Sequence, residues 1–251
     1  MNESIHPILA AIPTQSDTWS QRTLAQLVTE HPRAVAVLQR HGIDFCCGGQ
    51  RTLSDACALK RSPLNNTPLL PDALLEEIAA EEATWAESPV RWDQEPAPKL
   101  IQHILIRHHE PLYPEFHRLQ ALATKVARTH GAKDPRLEAL ETAVQSLALE
   151  LRDHMAKEEQ ILFPAILRGH GPLLSGPVAC MRHEHEETGA VLRHIEHLTD
   201  GFQAPAEACG SWRALFEGLR ALRDDVLVHI HLENNILFPA LGLPSQVPTH
   251  G

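Results

Sequence analysis

The chain has 251 residues and a formal charge of −10, and no stretch of it concentrates lysine or arginine. That balance excludes a nucleic-acid or anionic-membrane partner, and no apolar run approaches the length of a membrane span. Only 4% of residues are aromatic, alanine and leucine dominate, and strand-type alternation is absent, so the expected class is all-α.

Residues 1–17, with Pro7 and Pro13, read as a loosely ordered leader. They lack the basic start and long apolar run of a secretory signal, so a cytoplasmic location is expected. Residues 18–62 read as a small helical domain. Leu24, Leu27 and Val28, then Val35 and Leu38, mark two short helices, with Pro32 opening the second and Gly42 closing it. Cys46-Cys47-Gly48-Gly49 follows, and Leu53, Ala56 and Leu59 mark a third helix. Five cysteines, two adjacent and three scattered (Cys57, Cys180, Cys209), form no disulfide framework and fit a reducing compartment. The adjacent pair is able to bind metal, exchange disulfides or react with nitric oxide, or serve only as small packing residues before a glycine turn. Residues 63–98 read as one helix, with Leu74, Leu75 and Ile78, and a proline-rich linker.

Residues 99–242 read as four long amphipathic helices in an up-down bundle, before a tail at 243–251. The stripes are Ile101, Leu105, Leu112, Phe116, Leu119, then Leu137 to Leu151, His154, Glu158, Ile161. The third is Val178, Met181, His185, Leu192, Ile195, and the fourth runs from Trp212 through Val226, His229 and Glu233 to Ile236. An internal repeat supports the pairing. His154-x-x-x-Glu158 and His229-x-x-x-Glu233 each lead at fixed distance into Leu-Phe-Pro. A histidine and a glutamate so spaced lie one above the other on one helix face, here the apolar face in both copies.

A glutamate on a core stripe is costly unless it is paired or bound to a cation. Doubling the motif in phase with the stripe therefore points to metal, with further imidazoles from His185 and from the first helix. Phase does not choose there between His108 and His109. His183, His231 and Glu159 fall off the stripes and read as groups behind the ligands or facing solvent. Four imidazoles and two carboxylates suit a pair of divalent cations, as in di-iron and di-manganese bundles, better than tetrahedral zinc.

These residues resemble the iron–sulfur cluster repair di-iron proteins, the repair-of-iron-centres family, whose C-terminal part is a hemerythrin-like bundle. The resemblance rests on Gly42 to Gly49, both H-x-x-x-E copies, and Glu184-His185-Glu186-Glu187-Thr188-Gly189. It implies two non-haem iron ions, oxo- or carboxylate-bridged. The implied ligands are His109, His154, Glu158, His185, His229 and Glu233, with Glu158 and Glu233 bridging and Glu150 and Glu184 beside the site. It further implies repair of clusters damaged by nitrosative or oxidative stress, through iron donation or reaction with nitric oxide. Damaged iron–sulfur proteins, an electron donor and a second copy of the chain are the implied partners. Cys46 and Cys47 would carry a redox or transfer role. The alternatives are an oxygen or nitric oxide binding module and a nitric oxide reductase; whether any turnover is catalytic is left open. Residues 1–17 have no counterpart in the resemblance, and Pro111 and Pro114 predict a kink or break after His109.

Overall fold

The structure, a computed structural model, describes residues 19–58, 60–61, 67–84 and 89–242; the expected leader and tail lie outside them. The chain divides into two compact units between Arg91 and Trp92, within the segment expected as a linker. The described residues are helical, with isolated bridges but no strand.

The first unit holds four helices: α1 (Leu24–Glu30), α2 (Ala34–Arg40), α3 (Leu53–Ala58) and α4 (Pro71–Ala83). Thr23 opens α1 through a reciprocal capping box with Gln26, which satisfies two otherwise orphaned amides. Leu24, Leu27, Leu38, Phe45, Leu53 and Ile78 are buried and form its small core. His31 and His41 tie the early helices to α4 through Glu82 at 2.7 Å and Glu77 at 3.0 Å.

In the second unit α5 (Ala97–Ile104) runs through a π turn at Leu105–His109 into α6 (Glu110–His130). Next, α7 (Arg136–Lys157) runs through a π turn at Glu158–Leu162 into α8 (Phe163–Leu167). The chain returns along α9 (Ser175–Leu198) and α10 (Gly210–His231), which passes through a third π turn, Leu232–Leu237, into α11 (Phe238–Ala240). α6 packs on α7, α7 on α9, α9 on α10 and α10 on α6, the closed ring of an up-down bundle. Gly218 lets α10 approach α6, since a Cβ there would meet Leu119 Cδ2 at 2.7 Å. Beyond the ring, Leu100, Ile104, Phe163, Val178, Leu237 and Phe238 belong to one apolar cluster that closes the end where the π turns lie.

The prolines correct one expectation. The helix is not broken after His109; it continues through Pro111 and Pro114, and the distortion precedes Pro111. A proline ring collides with the carbonyl four residues earlier and offers no N–H to it, so strain falls on the preceding turn. Widening that turn by one residue relieves it. Each π turn is followed two residues later by a proline: Pro111, Pro164 and Pro239. The extra residue also rotates the helix beyond it. Ile161, expected on the core stripe, is 62% exposed, and Leu162 and Phe163 are buried in its place.

Candidate metal centre

Three π turns carry or adjoin the functional side chains. His109 ends the first, Glu158 begins the second and Glu233 lies in the third. His154 and His229 stand one turn earlier on α7 and α10, and His185 comes from α9. All six are buried, and both glutamates are 0% exposed.

They form two overlapping groups. His109, Glu158, His229 and Glu233 make one, and His154, Glu158, His185 and Glu233 the other, with ligand atoms within 4.8 Å of one another in each. Both carboxylates are common to the two. His109 Nε2 lies 3.0 Å from His229 Nε2, and His154 Nε2 lies 3.0 Å from His185 Nε2. Glu158 Oε1 is 3.4 Å from His154 Nε2, and its Oε2 is 3.5 Å from His109 Nε2. Glu233 Oε1 is 3.0 Å from His229 Nε2, and its Oε2 is 3.2 Å from His185 Nε2.

The outer ring nitrogens explain why the inner ones converge. His109 Nδ1 faces Glu159 Oε1 at 2.9 Å, and that carboxylate also accepts Tyr113 O–H at 3.1 Å. His154 Nδ1 faces Glu184 Oε2 at 2.8 Å, and Lys157 donates to the other oxygen at 2.6 Å. His185 Nδ1 faces Asn234 Oδ1 at 2.9 Å. Acceptors at Nδ1 put the proton there and leave Nε2 as a lone pair aimed inward, the arrangement of imidazoles that bind metal. Glu159 and Asn234 hold the same position in the two repeats, one residue after the shared glutamate. His229 is the exception, its Nδ1 lacking a hydrogen-bond partner among the described residues.

Charge follows this geometry. Burial pushes His154 down, yet the Glu158 and Glu184 carboxylates outweigh it and hold it up at about 10. Burial also opposes the charge on His229, and Glu233 overcomes it and raises that imidazole. His109 is lowered by burial and by the charge of His229. Burial works against ionised Glu233, but His229 and His185 hold it well below the usual carboxylate range. Glu184 is drawn down to about 2 by its hydrogen bond from His154, with Lys157 helping.

The donor set fits a pair of divalent cations. Four imidazoles converge in pairs, and both Glu158 oxygens and Glu233 Oε2 are buried without a hydrogen bond. Unsatisfied carboxylate oxygens in a dry core are expensive, and a bound cation removes that cost.

Other expected residues fall elsewhere. His108 is buried, but its Nδ1 faces Asp225 at 3.1 Å and its ring stacks on His229 at 5.7 Å, outside both groups. Glu150 is exposed and accepts from Ser146 at 2.6 Å, away from the centre; it sits on the solvent side of α7. Glu184 lies beside the site, against His154. His231, expected to face outward or stand behind the ligands, is 3% exposed and takes Asn235 Nδ2 at 3.1 Å. Cys46 and Cys47 belong to the first unit, their Sγ atoms 3.7 Å apart. Tyr113, Lys157 and Asn234 were not singled out by sequence. For Asn234 the repeat carried the signal, since it stands where the other copy has Glu159.

Comparison with known proteins agrees with this architecture. Residues 100–241 match the Hemerythrin HHE cation binding domain, and residues 20–81 match a domain of unknown function, DUF542. The chain is 39% identical over 223 residues to the iron-sulfur cluster repair protein YtfE of Escherichia coli O8 (strain IAI1), covering 88% of this chain and 96% of that one. Identity and coverage are the same for the proteins of that name from Escherichia coli O17:K52:H18 (strain UMN026 / ExPEC) and Shigella boydii serotype 4 (strain Sb227). With a helical bundle, a buried His/Glu centre and this likeness along most of its length, the chain belongs to the iron–sulfur cluster repair family with a hemerythrin-like domain.

Proposed function

We propose that the chain holds two non-haem iron ions and helps repair iron–sulfur clusters damaged by nitrosative or oxidative stress. His109 and His229 would hold one ion, His154 and His185 the other, with Glu158 and Glu233 bridging. The observation that carries this is the pair of fully buried carboxylates common to two histidine pairs. A site of oxygen and nitrogen donors without thiolate favours iron or manganese over structural zinc, and the relatives' name favours iron.

Bound ferrous iron would supply a centre able to react with nitric oxide, held moderately enough by hard ligands to be donated. The chain's own part is positional. Glu159 with Tyr113, Glu184 with Lys157, and Asn234 orient three of the four imidazoles. The apolar cluster around Phe163 and Phe238 keeps water from that end of the centre. Damaged iron–sulfur proteins are the partners, in the cytoplasm, and an external donor supplies electrons. Among the described residues no helix is long and apolar enough to cross a membrane. A second copy of the chain is a further partner in this reading.

Metal analysis of anaerobically purified protein beside a Glu158→Ala/Glu233→Ala variant tests the centre. About two irons per chain, lost in the variant, are expected for this ligand set. Equal metal in both would refute it. Restoration of a nitric-oxide-damaged cluster enzyme by the loaded protein tests the repair role, and failure would leave only a metal-binding bundle.

One observation favours a second reading, reversible oxygen binding. Such carriers usually have a fifth histidine, and His108 is a buried imidazole stacked on His229. An optical change on oxygen exposure that reverses under vacuum, and is lost in His108→Phe, would favour it.

A further inference from the structure

The cysteine turn of the first unit lies outside the bundle centre and is held by a set of directed contacts. Asp44 Oδ1 accepts the Cys46 and Cys47 backbone N–H groups, each at 3.1 Å, and the Cys46 S–H at 3.2 Å. Those contacts fix the backbone on which both sulfurs stand, leaving Sγ to Sγ at 3.7 Å. The turn is anchored just after the cysteines. Ala25 N–H donates to Gly49 O at 2.8 Å and Leu24 N–H to Arg51 O at 2.9 Å, joining it to α1. Gly48 is needed for its closure, because a Cβ there would meet Asp44 O at 3.0 Å. Cys46 is 2% exposed, whereas Cys47 is partly exposed, and neither forms a disulfide.

We propose that Cys46 and Cys47 form a chelating site for trivalent hydroxo-metalloids of the arsenite class, with Asp44 as the residue that positions both thiols. Two sulfurs fixed side by side, one at the surface and one behind it, close a small ring around a single pyramidal atom. Pre-fixing them removes the ordering cost that a flexible dithiol bears on chelation.

The chemistry balances without an oxidant or reductant. Arsenous acid attaches at the accessible Cys47, forming a sulfur–arsenic bond as one arsenic–hydroxyl bond breaks. The thiol proton leaves on that hydroxyl as water. Cys46 closes the ring in the same way, its proton passing by way of the Asp44 carboxylate that already accepts it, and a second water departs. Arsenic stays trivalent and both sulfurs keep their oxidation state.

The surroundings of Cys46 favour this class over a divalent cation. Its hydrogen bond with Cys47, its burial and the nearby Asp44 all keep the Cys46 thiol protonated. A divalent ion must drive both thiol protons into solvent, whereas the hydroxo acid carries them away on its own hydroxyls as water.

The test uses the full-length, iron-loaded protein with sodium arsenite, read by elemental analysis after desalting and by intact mass. One arsenic per chain is expected, with iron content unchanged. Cys46→Ser and Cys47→Ser should each weaken binding about a hundredfold or more, the usual loss when two linked contacts become one. Asp44→Asn should keep the stoichiometry and slow association. Cys180→Ser/Cys209→Ser should bind like the parent. In the parent, arsenite should protect Cys46 and Cys47 from alkylation, as mapped by peptide mass, so the outcome does not depend on any variant folding. Absence of bound arsenic, binding retained in either single variant, or protection of other cysteines instead would overturn the proposal.

Discussion

Loading ferrous iron at pH 7 should release at least about one proton per chain, from His154, because metal binding needs neutral imidazoles. His154 is held at about 10 and His229 is raised, whereas burial and the charge of His229 lower His109. Charged His154 faces the buried Glu158 carboxylate, and a cation takes its proton's place. His154 lies about three pH units above neutrality, so proton competition costs its site about 4 kcal/mol at pH 7. Because His154 must lose its proton to bind, affinity should climb with pH through neutrality and level off near about 10. Anaerobic titration calorimetry in two buffers of different ionisation enthalpy counts the protons directly. A count near zero, or an affinity that is flat between pH 6.5 and pH 8.5, would refute the charged-His154 account of the centre.

Removing Glu184 takes away the acceptor of His154 Nδ1, so Glu184→Ala should weaken one of the two metals by about 10- to 100-fold and leave the other. Competition with a coloured chelator reads this as a split between two formerly closer steps. Pro111→Ala restores an amide able to bond Arg107 O, which favours regular helix over the π turn that delivers His109. Thermal stability should hold or rise while iron content falls, a divergence that metal analysis beside a melting curve detects. Phe238 is fully buried and stacks on His185 at 6.3 Å, so Phe238→Ala should cost about 3–5 kcal/mol in denaturant unfolding. The metal-free protein should melt highest between about pH 4.5 and 6.5. Glu184 is depressed to about 2, so its contribution is whole above 4.5 and lost as pH falls through about 2. His154 is raised to about 10, so its contribution is whole below 6.5 and lost as pH rises through about 10; a melting point constant from pH 2 to pH 10 would contradict both.

Local sequence was enough for the helical class, the four stripes and the phase of His154, Glu158, His185, His229 and Glu233. Period and repetition are local properties, and a doubled motif on an apolar face needs no knowledge of its neighbours to be read. His108 and His109 stayed open because both flank one stripe; the π turn at Leu105–His109 sets His109 against the carboxylates and His108 against Asp225. Ile161 shows the same limit, since a single inserted residue moved it from the expected core to solvent. The signal for that insertion was present in the three prolines, but its consequence appears only when the preceding turn is free to widen. Glu150 and Glu159 look alike along the chain, and packing between helices placed one in solvent and the other against His109. Three-dimensional structure added the pairing of Nε2 atoms at 3.0 Å and the acceptors behind them. Those contacts join residues up to 120 positions apart, beyond the reach of any local period.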